Sequence, residues 1–354
     1  MAQINKPNQY FNTKIYTGDG SSSRAITGIG FEPSLTWNKP RTTANDHQLV
    51  DAVRGGGKVI SSNLADAEYT AGNTILSFNS DGFTCGDGAS VNANGVNYAS
   101  WNWKANGTGV SNTDGSITST VSANTTSGFS IVTWTGDGNK SATVGHGLGS
   151  ELSCIIIRER TGTDWWHNWQ TGLSSNSHNV FFNNTDAERS AVSDGHVKKL
   201  DNTTTFGFDS STSNVNAVNQ SGIDNVGYCF AEKKGYSKFG SYTGNGSTDG
   251  TFVYTGFKPA FFMIKNITAA GNWTMFDNKR SSSGGSNEID YSLDANASNA
   301  EETGTSVNDV DFLSNGIKIR EDNGDLNGSG QTIIYMAFAE NPLVGTNNIP
   351  ATAR

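Results

Sequence analysis

A short cassette is written three times in this chain, and any fold must give each copy equivalent surroundings. It runs Phe11-Asn12-Thr13-Lys14-Ile15-Tyr16-Thr17-Gly18-Asp19-Gly20, then Phe129-Ser130-Ile131-Val132-Thr133-Trp134-Thr135-Gly136-Asp137-Gly138, then Phe239-Gly240-Ser241-Tyr242-Thr243-Gly244-Asn245-Gly246. A near-constant interval of about 110 residues marks an internal repeat, which has to be settled before any other feature is read. Aromatic and β-branched residues suit a half-buried strand. Asp-Gly or Asn-Gly after such a run predicts a tight turn, so each copy is expected to open a β-hairpin. Asp19, Asp137 and Asn245 could instead ligate calcium. No second acidic residue follows at the alternate spacing of a calcium loop, and the plain turn is preferred.

Further motifs recur in the same order. A glycine-rich corner leads to an apolar strand at Leu35–Lys39, at Cys154–Arg158 and, after Pro259, at Ala260–Lys265. Asp51-Ala52-Val53-Arg54 matches Asp277-Asn278-Lys279-Arg280, whereas the second copy has Trp166-His167-Asn168-Trp169-Gln170 and loses the pair. We expect an internal salt bridge at a strand end. Asp66-Ala67-Glu68, Asp186-Ala187-Glu188 and Asn299-Ala300-Glu301 read as single capped helical turns. Ser77–Thr84, Thr205–Ser210 and Asp311–Lys318 read as strand, turn and strand. Each copy closes on an apolar strand in which Trp101 and Trp103, Tyr228 and Phe230, and Met336 and Phe338 share a face by the period of two.

These patterns predict an all-β chain of three tandem homologous antiparallel β-sandwich modules, lectin-like or jelly-roll-like, of about 105 residues each. The expected divisions are an N-terminal lead-in over residues 1–9, modules over 10–106, 128–234 and 235–345, and a C-terminal tail over 346–354. Residues 107–127, rich in Ser, Thr and Gly, form a semi-ordered connector in which 116–121 could add a strand. The lead-in and tail are expected to be mobile without a partner.

The net charge of −9 disfavours nucleic acid, since phosphate binding needs a basic stripe. No run of 18 apolar residues is present, so no membrane insertion is expected. Three cysteines cannot all pair; Cys154 and Cys229 sit in apolar runs and read as small core residues. Folding in a reducing cytoplasm follows as the expectation.

Catalytic patterns are sparse. His47, His146, His167, His178 and His196 lack zinc-like spacing, and neither a P-loop nor a nucleophile elbow is found. Asp51, Asp66 and Glu68 are the nearest carboxylates in the first copy, but nothing pairs them as acid and base. No catalytic residue, metal ligand or cofactor is therefore assigned, and the chain is read as a non-enzyme. Binding residues gather on loops of a rigid scaffold. The equivalent loops at 41–46, 161–164 and 268–272 make Arg41, Asn45, Asp46, Thr163, Asp164, Trp165, Asn266 and Asn272 the candidate ligand contacts.

The ordered set Tyr10–Lys14, Asp66-Ala67-Glu68, Ser77–Phe83, Trp101–Ala105, Gly128–Val132, Tyr228–Glu232 and Ala337–Pro342 resembles repeat-bearing virion proteins of tailed bacteriophages, many of them marine. Those proteins are often labelled tail-fibre-like. The resemblance spans nearly the whole chain and transfers no catalytic residue. It implies a location on a virus particle; with the repeat architecture and the lack of a catalytic constellation, the expectation is a structural virion protein, made in the host cytoplasm, of a tail fibre or tail tip that attaches to host-surface polysaccharide or another receptor and contacts other virion proteins. A capsid-surface decoration protein is the alternative, and a polysaccharide depolymerase is the third reading. Fibre proteins are commonly homotrimers, but no heptad or β-helix period here specifies one.

Overall fold

Alternating apolar residues broken by Gly, Asn and Asp turns can bury one sheet face or both, and this chain does so almost entirely with strands. The computed structural model describes residues 3–190, 195–281, 287–304, 308–345 and 350–352. The first stretch carries β1 (Phe11–Thr17), β2 (Arg24–Thr27), β3 (Leu35–Pro40), β4 (Gln48–Asp51), β5 (Lys58–Val59), β6 (Tyr69–Thr70), β7 (Ile75–Asn79), β8 (Gly82–Cys85) and β9 (Asn97–Trp103). The next carries β10 (Val110–Asn112), β11 (Ser119–Asn124), β12 (Phe129–Thr135), β13 (Thr143–Gly145), β14 (Cys154–Glu159), β15 (His167–Gln170), β16 (Val180–Phe181), β17 (His196–Lys198), β18 (Thr205–Asp209), the short helix α1 (Asn216–Asn219) and β19 (Asp224–Phe230). The last carries β20 (Ser237–Thr243), β21 (Phe252–Tyr254), β22 (Phe257–Asn266), β23 (Trp273–Asp277), β24 (Glu288–Ile289), β25 (Tyr291–Asp294), β26 (Glu302–Thr303), β27 (Val310–Leu313), β28 (Gly316–Ile319), α2 (Gly324–Asn327) and β29 (Thr332–Pro342).

Among the described residues, three large antiparallel sheets result. Sheet I has the order β1-β9-β3-β4, sheet II β10-β11-β12-β19-β14-β15-β16, and sheet III β20-β29-β22-β23-β25-β26. Each is covered on one face by a smaller sheet: β2-β8-β7, β13-β18-β17 and β21-β28-β27-β24. Apolar residues between large and small sheets form three separate cores, centred on Ile26 and Phe83, on Val144 and Phe206, and on Phe262 and Ile317.

The other faces of the large sheets meet. Phe11, Trp37, Trp101 and Trp103 of sheet I, Phe129, Ile156, Tyr228 and Phe230 of sheet II, and Phe239, Phe261, Met336 and Phe338 of sheet III belong to one continuous core. Phe338 lies 5.1 Å from Phe11 and 5.8 Å from Phe230, centroid to centroid, so one ring touches both other sheets. Aromatic pairs at this spacing contribute about 0.5–1.5 kcal/mol each beyond the area they bury. The shared-face aromatics expected from the closing strands therefore point inward to a common centre.

The corner after each cassette is not a hairpin. β1 pairs with β9 in register Thr13↔Trp101 and makes no ladder with β2, which belongs to the covering sheet. Asp19, Asp137 and Asn245 instead form side-chain turns, accepting from the backbone N–H of Ser21, Asn139 and Ser247 at 2.9, 2.9 and 3.1 Å. A fully buried asparagine braces each corner: Asn92, Asn219 and Asn327 donate to those same side-chain oxygens at 3.0, 2.7 and 2.8 Å. The chain packs so closely here that a Cβ on Gly18, Gly136 or Gly244 would overlap the backbone carbonyl oxygen of Ala93, Gln220 or Gly328.

Other expectations are corrected. The Ala-Glu segments at 63–68, 184–188 and 298–301 contain no helical turn; the backbone is irregular there, and each glutamate reaches a neighbouring sheet. Residues 107–127 supply the ordered strands β10 and β11, and β11 spans 119–124 where the sequence suggested 116–121. Ser77–Thr84 and Asp311–Lys318 form hairpins. In the second stretch β18 pairs back to β17 across a longer loop, because the turn expected after Asp209 leads to α1 instead. Within the lead-in, Ile4 is buried and donates its N–H to Lys234 O at 3.0 Å, so residues 3–9 are anchored. Residues 1, 2, 346–349, 353 and 354 of the lead-in and tail lie outside the described residues. Among the described residues no helix is long and apolar enough to cross a membrane.

Candidate functional site

The three borders between the large sheets are built from equivalent residues. Just beyond β3, β14 and β22 stand Arg41, Arg160 and Ile267, and their carbonyls accept from the backbone N–H of Glu301, Glu68 and Glu188 at 2.7, 2.6 and 3.0 Å. Each bond reaches a different sheet, so sheet I's glutamate holds II, sheet II's holds III, and sheet III's holds I. A second set runs in the opposite sense around the centre. His47 Nε2, Trp166 Nε1 and Trp273 Nε1 meet the carbonyls of Asp294, Ser61 and Phe181 at 3.0, 2.9 and 2.9 Å. Trp37 Nε1 lies 2.8 Å from His47 Nδ1 and donates to it, which leaves the proton on Nε2. Burial, reinforced by Lys39, lowers His47 to about 3 and keeps the ring neutral.

Among the described residues, buried arginine–carboxylate clamps stand at two of the borders. Arg54, its side chain fully buried, bonds Asp51 at 2.6 Å and Glu68 at 2.9 Å; Glu68 also takes Arg160 at 3.0 Å from the next sheet. Arg280 repeats this with Asp277 at 2.6 Å and Glu301 at 2.9 Å, and Glu301 takes Arg41 at 2.7 Å. Burial alone would lower the guanidinium of Arg54, but Asp51, Tyr228 and Glu68 reverse this and raise it. At the third border Ile267 replaces the arginine, and Glu188 turns to His178 Nδ1 at 3.0 Å and Ser174 Oγ at 2.7 Å. A buried ion pair is costly to break, since removing one partner leaves a desolvated charge.

Most of the expected ligand contacts are engaged within the chain. Arg41 belongs to the border clamp. Asn266 is buried, its Nδ2 donating to Gly324 O at 2.7 Å and its Oδ1 accepting from the N–H of Thr268 at 2.9 Å. Asp46 accepts from Asn63 Nδ2 at 2.7 Å, and Asn45 donates to Thr43 Oγ1 at 3.4 Å. Thr163 is exposed. Asp164 accepts from the N–H of Trp165 at 2.7 Å, and Trp165 is 40% exposed beside Phe181 and under Arg189.

Asn272 lines a cleft of about 410 Å³, with Thr274, Asp294, Glu302 and Asp325 on its walls. Asp294 sits at the end of β25 opposite Thr274 on β23, whose hydroxyl lies 3.1 Å from its Oδ1. Burial, reinforced by Glu302 and Asp325, lifts its carboxyl to about 7. Asp325 accepts from the N–H of Asn272 at 3.1 Å, and Glu302 from Asn308 Nδ2 at 3.1 Å. Near neutral pH the cleft thus offers a carboxyl that can donate beside others that accept, which suits hydroxyl groups. No group of three or more His, Cys, Asp or Glu among the described residues is placed to hold a metal ion. No recurring motif points to this cleft. Its signal was the charge imbalance between Glu288 and Asp325, with ten carboxylates against Lys318 and Arg320.

Residues 6–342 match the family described as Domain of unknown function (DUF7483), and the chain belongs to that family. No curated protein and no solved structure matches the chain.

Proposed function

We propose that the chain is three tandem copies of one antiparallel β-sandwich module, over 10–106, 128–234 and 235–345, locked into a ring. As such it would serve as a structural protein of a tailed bacteriophage particle. The reading places it in a tail fibre or tail tip, where it presents polar loops and clefts to host-surface polysaccharide rather than carrying out a reaction. The observation that carries it is the cyclic set of bonds from Glu68, Glu188 and Glu301 to the next sheet. Such a closed, ion-clamped body suits a load-bearing part, because opening any border strands a buried charge or an inward-facing aromatic row. Polar clefts on a rigid scaffold suit weak, repeated contact with glycan, in which avidity makes up for modest single sites.

The same ring favours a second position, on the capsid surface, where one chain with three similar faces could sit over a threefold axis. Gold-labelled antibody against the chain on intact particles separates the two. Label at the tail supports the leading reading, label over the capsid supports the second, and particles that lack the chain overturn both. Attachment is tested by incubating the purified protein with host cells; no retention after washing would remove the host-binding role.

A further inference from the structure

A groove of about 650 Å³ crosses the border between the lead-in, sheet I and the end of sheet III. That is within the usual range for small-ligand sites. Its floor is Gly28-Ile29-Gly30, the corner before β3. Both glycines hold positive φ, 81° and 92°, where a side chain would be strained. Asp81 fixes this corner by accepting from the N–H of Gly28 at 2.9 Å and of Gly30 at 2.6 Å. Asn12 adds a bond from Nδ2 to Ile29 O at 2.9 Å. The floor is therefore held rigidly, with Lys14 Nζ over Gly28 and the Asn8 carbonyl over Gly30.

The walls carry amides. Asn8, Gln9 and Asn341 face the groove, and among the described residues their side chains make no hydrogen bond to the protein. An amide donates twice and accepts twice, and a row of them matches vicinal hydroxyls, each at once donor and acceptor. Asp81 accepts one glycine N–H on each oxygen and, with Lys6, adds charge to a lining that is otherwise mostly neutral amides. Asn341 comes from the last long strand and Asn8 from the lead-in, so the groove exists only when the ring is closed. The Gln3 side chain, donating from Nε2 to Val344 O at 2.7 Å, ties the same two ends.

We propose that this groove binds a polyhydroxylated ligand, a segment of a glycan chain, through Asn8, Gln9 and Asn341 over the Gly28–Gly30 floor. This rests on the glycan-attachment reading above and gives it a place. The test applies full-length protein to an array of bacterial O-polysaccharides and capsular polysaccharides, beside an Asn8→Ala/Asn341→Ala double variant and a Thr125→Ala control outside the groove. Wild type and control should bind at least one polysaccharide, and the double variant should lose at least tenfold in affinity for it. Both substituted asparagines are exposed, so the fold should persist, and an unchanged thermal midpoint verifies that. Equal binding by the double variant overturns the groove but leaves glycan attachment standing. Absence of binding by wild type overturns the groove as well, while particle labelling still decides the structural role.

Discussion

Arg41 and Glu301, 260 residues apart in the chain, meet in a two-pronged ion pair, with Nη2 2.7 Å from Oε2 and Nε 3.0 Å from Oε1. Glu301 also receives the fully buried Arg280. One carboxylate thus serves its own sheet and closes the ring onto the first.

Glu301→Gln should accordingly cost about 3–5 kcal/mol of unfolding free energy, because it leaves Arg280 buried without its second carboxylate. Glu188→Gln, whose partners are the partly exposed His178 and Ser174, should cost about 1 kcal/mol. Denaturant titration of both variants checks the contrast, and equal costs would argue against the clamp.

The corner glycines should resist substitution for reasons of space. Gly18→Ala drives a methyl into the Ala93 carbonyl and should destabilise by roughly 2 kcal/mol or more, whereas Gly72→Ala meets nothing and should stay within about 0.5 kcal/mol. Thermal midpoints of the two variants measure this directly.

Buried neutral histidines, among them the adjacent His167 and His196, predict acid sensitivity. His167 and His196 are buried with ring centroids 5.6 Å apart. Asn179 beside them spends both amide hydrogens on Val197 O and His178 O. Burial lowers His196 to about 4, against the upward pull of the Ser177 carbonyl it bonds, and lowers His167 well below its usual value. The unfolded chain therefore binds more protons below about pH 6.5, and stability falls as pH drops from there toward 4. His167→Phe/His196→Leu should lessen that slope in urea melts between pH 7 and 4.5, with His47 and His146 still contributing; an unchanged slope would refute the assignment.

Asp294 should act with the opposite sign. Its folded carboxyl stays protonated to about 7 while the unfolded one ionises near 3.8, so stability falls as pH rises between those values. The stabilisation from Asp294→Asn should be about 2–3 kcal/mol larger at pH 8 than at pH 5. A gain of equal size at both pH values would mean that the carboxyl is not the cause.

What the sequence made legible was local. Asp51-x-x-Arg54 and Asp277-x-x-Arg280 announced their salt bridges because both partners lie within one turn of chain. The alternation in Trp101–Trp103 and Tyr228–Phe230 announced a buried face, though not that the faces share one core. The Ala-Glu motifs misled because Glu68 finds Arg160, and Glu301 finds Arg41, across separations that no local pattern encodes. Asn92, Asn219 and Asn327 went unnoticed for the same reason: each braces a turn more than seventy residues earlier. The carboxylates of the Asp294 cleft come from β25, β26 and α2, brought together only by the folding of sheet III.

The ring itself is tested most directly by an Arg41→Cys/Glu301→Cys pair, placed where the Glu301 N–H meets the Arg41 carbonyl at 2.7 Å. The native cysteines Cys85, Cys154 and Cys229 are buried and should not compete. Under mild oxidation the monomer should form an internal disulfide and migrate faster on a non-reducing gel. Exclusively intermolecular dimers, or no cross-link at all, would contradict a chain closed upon itself.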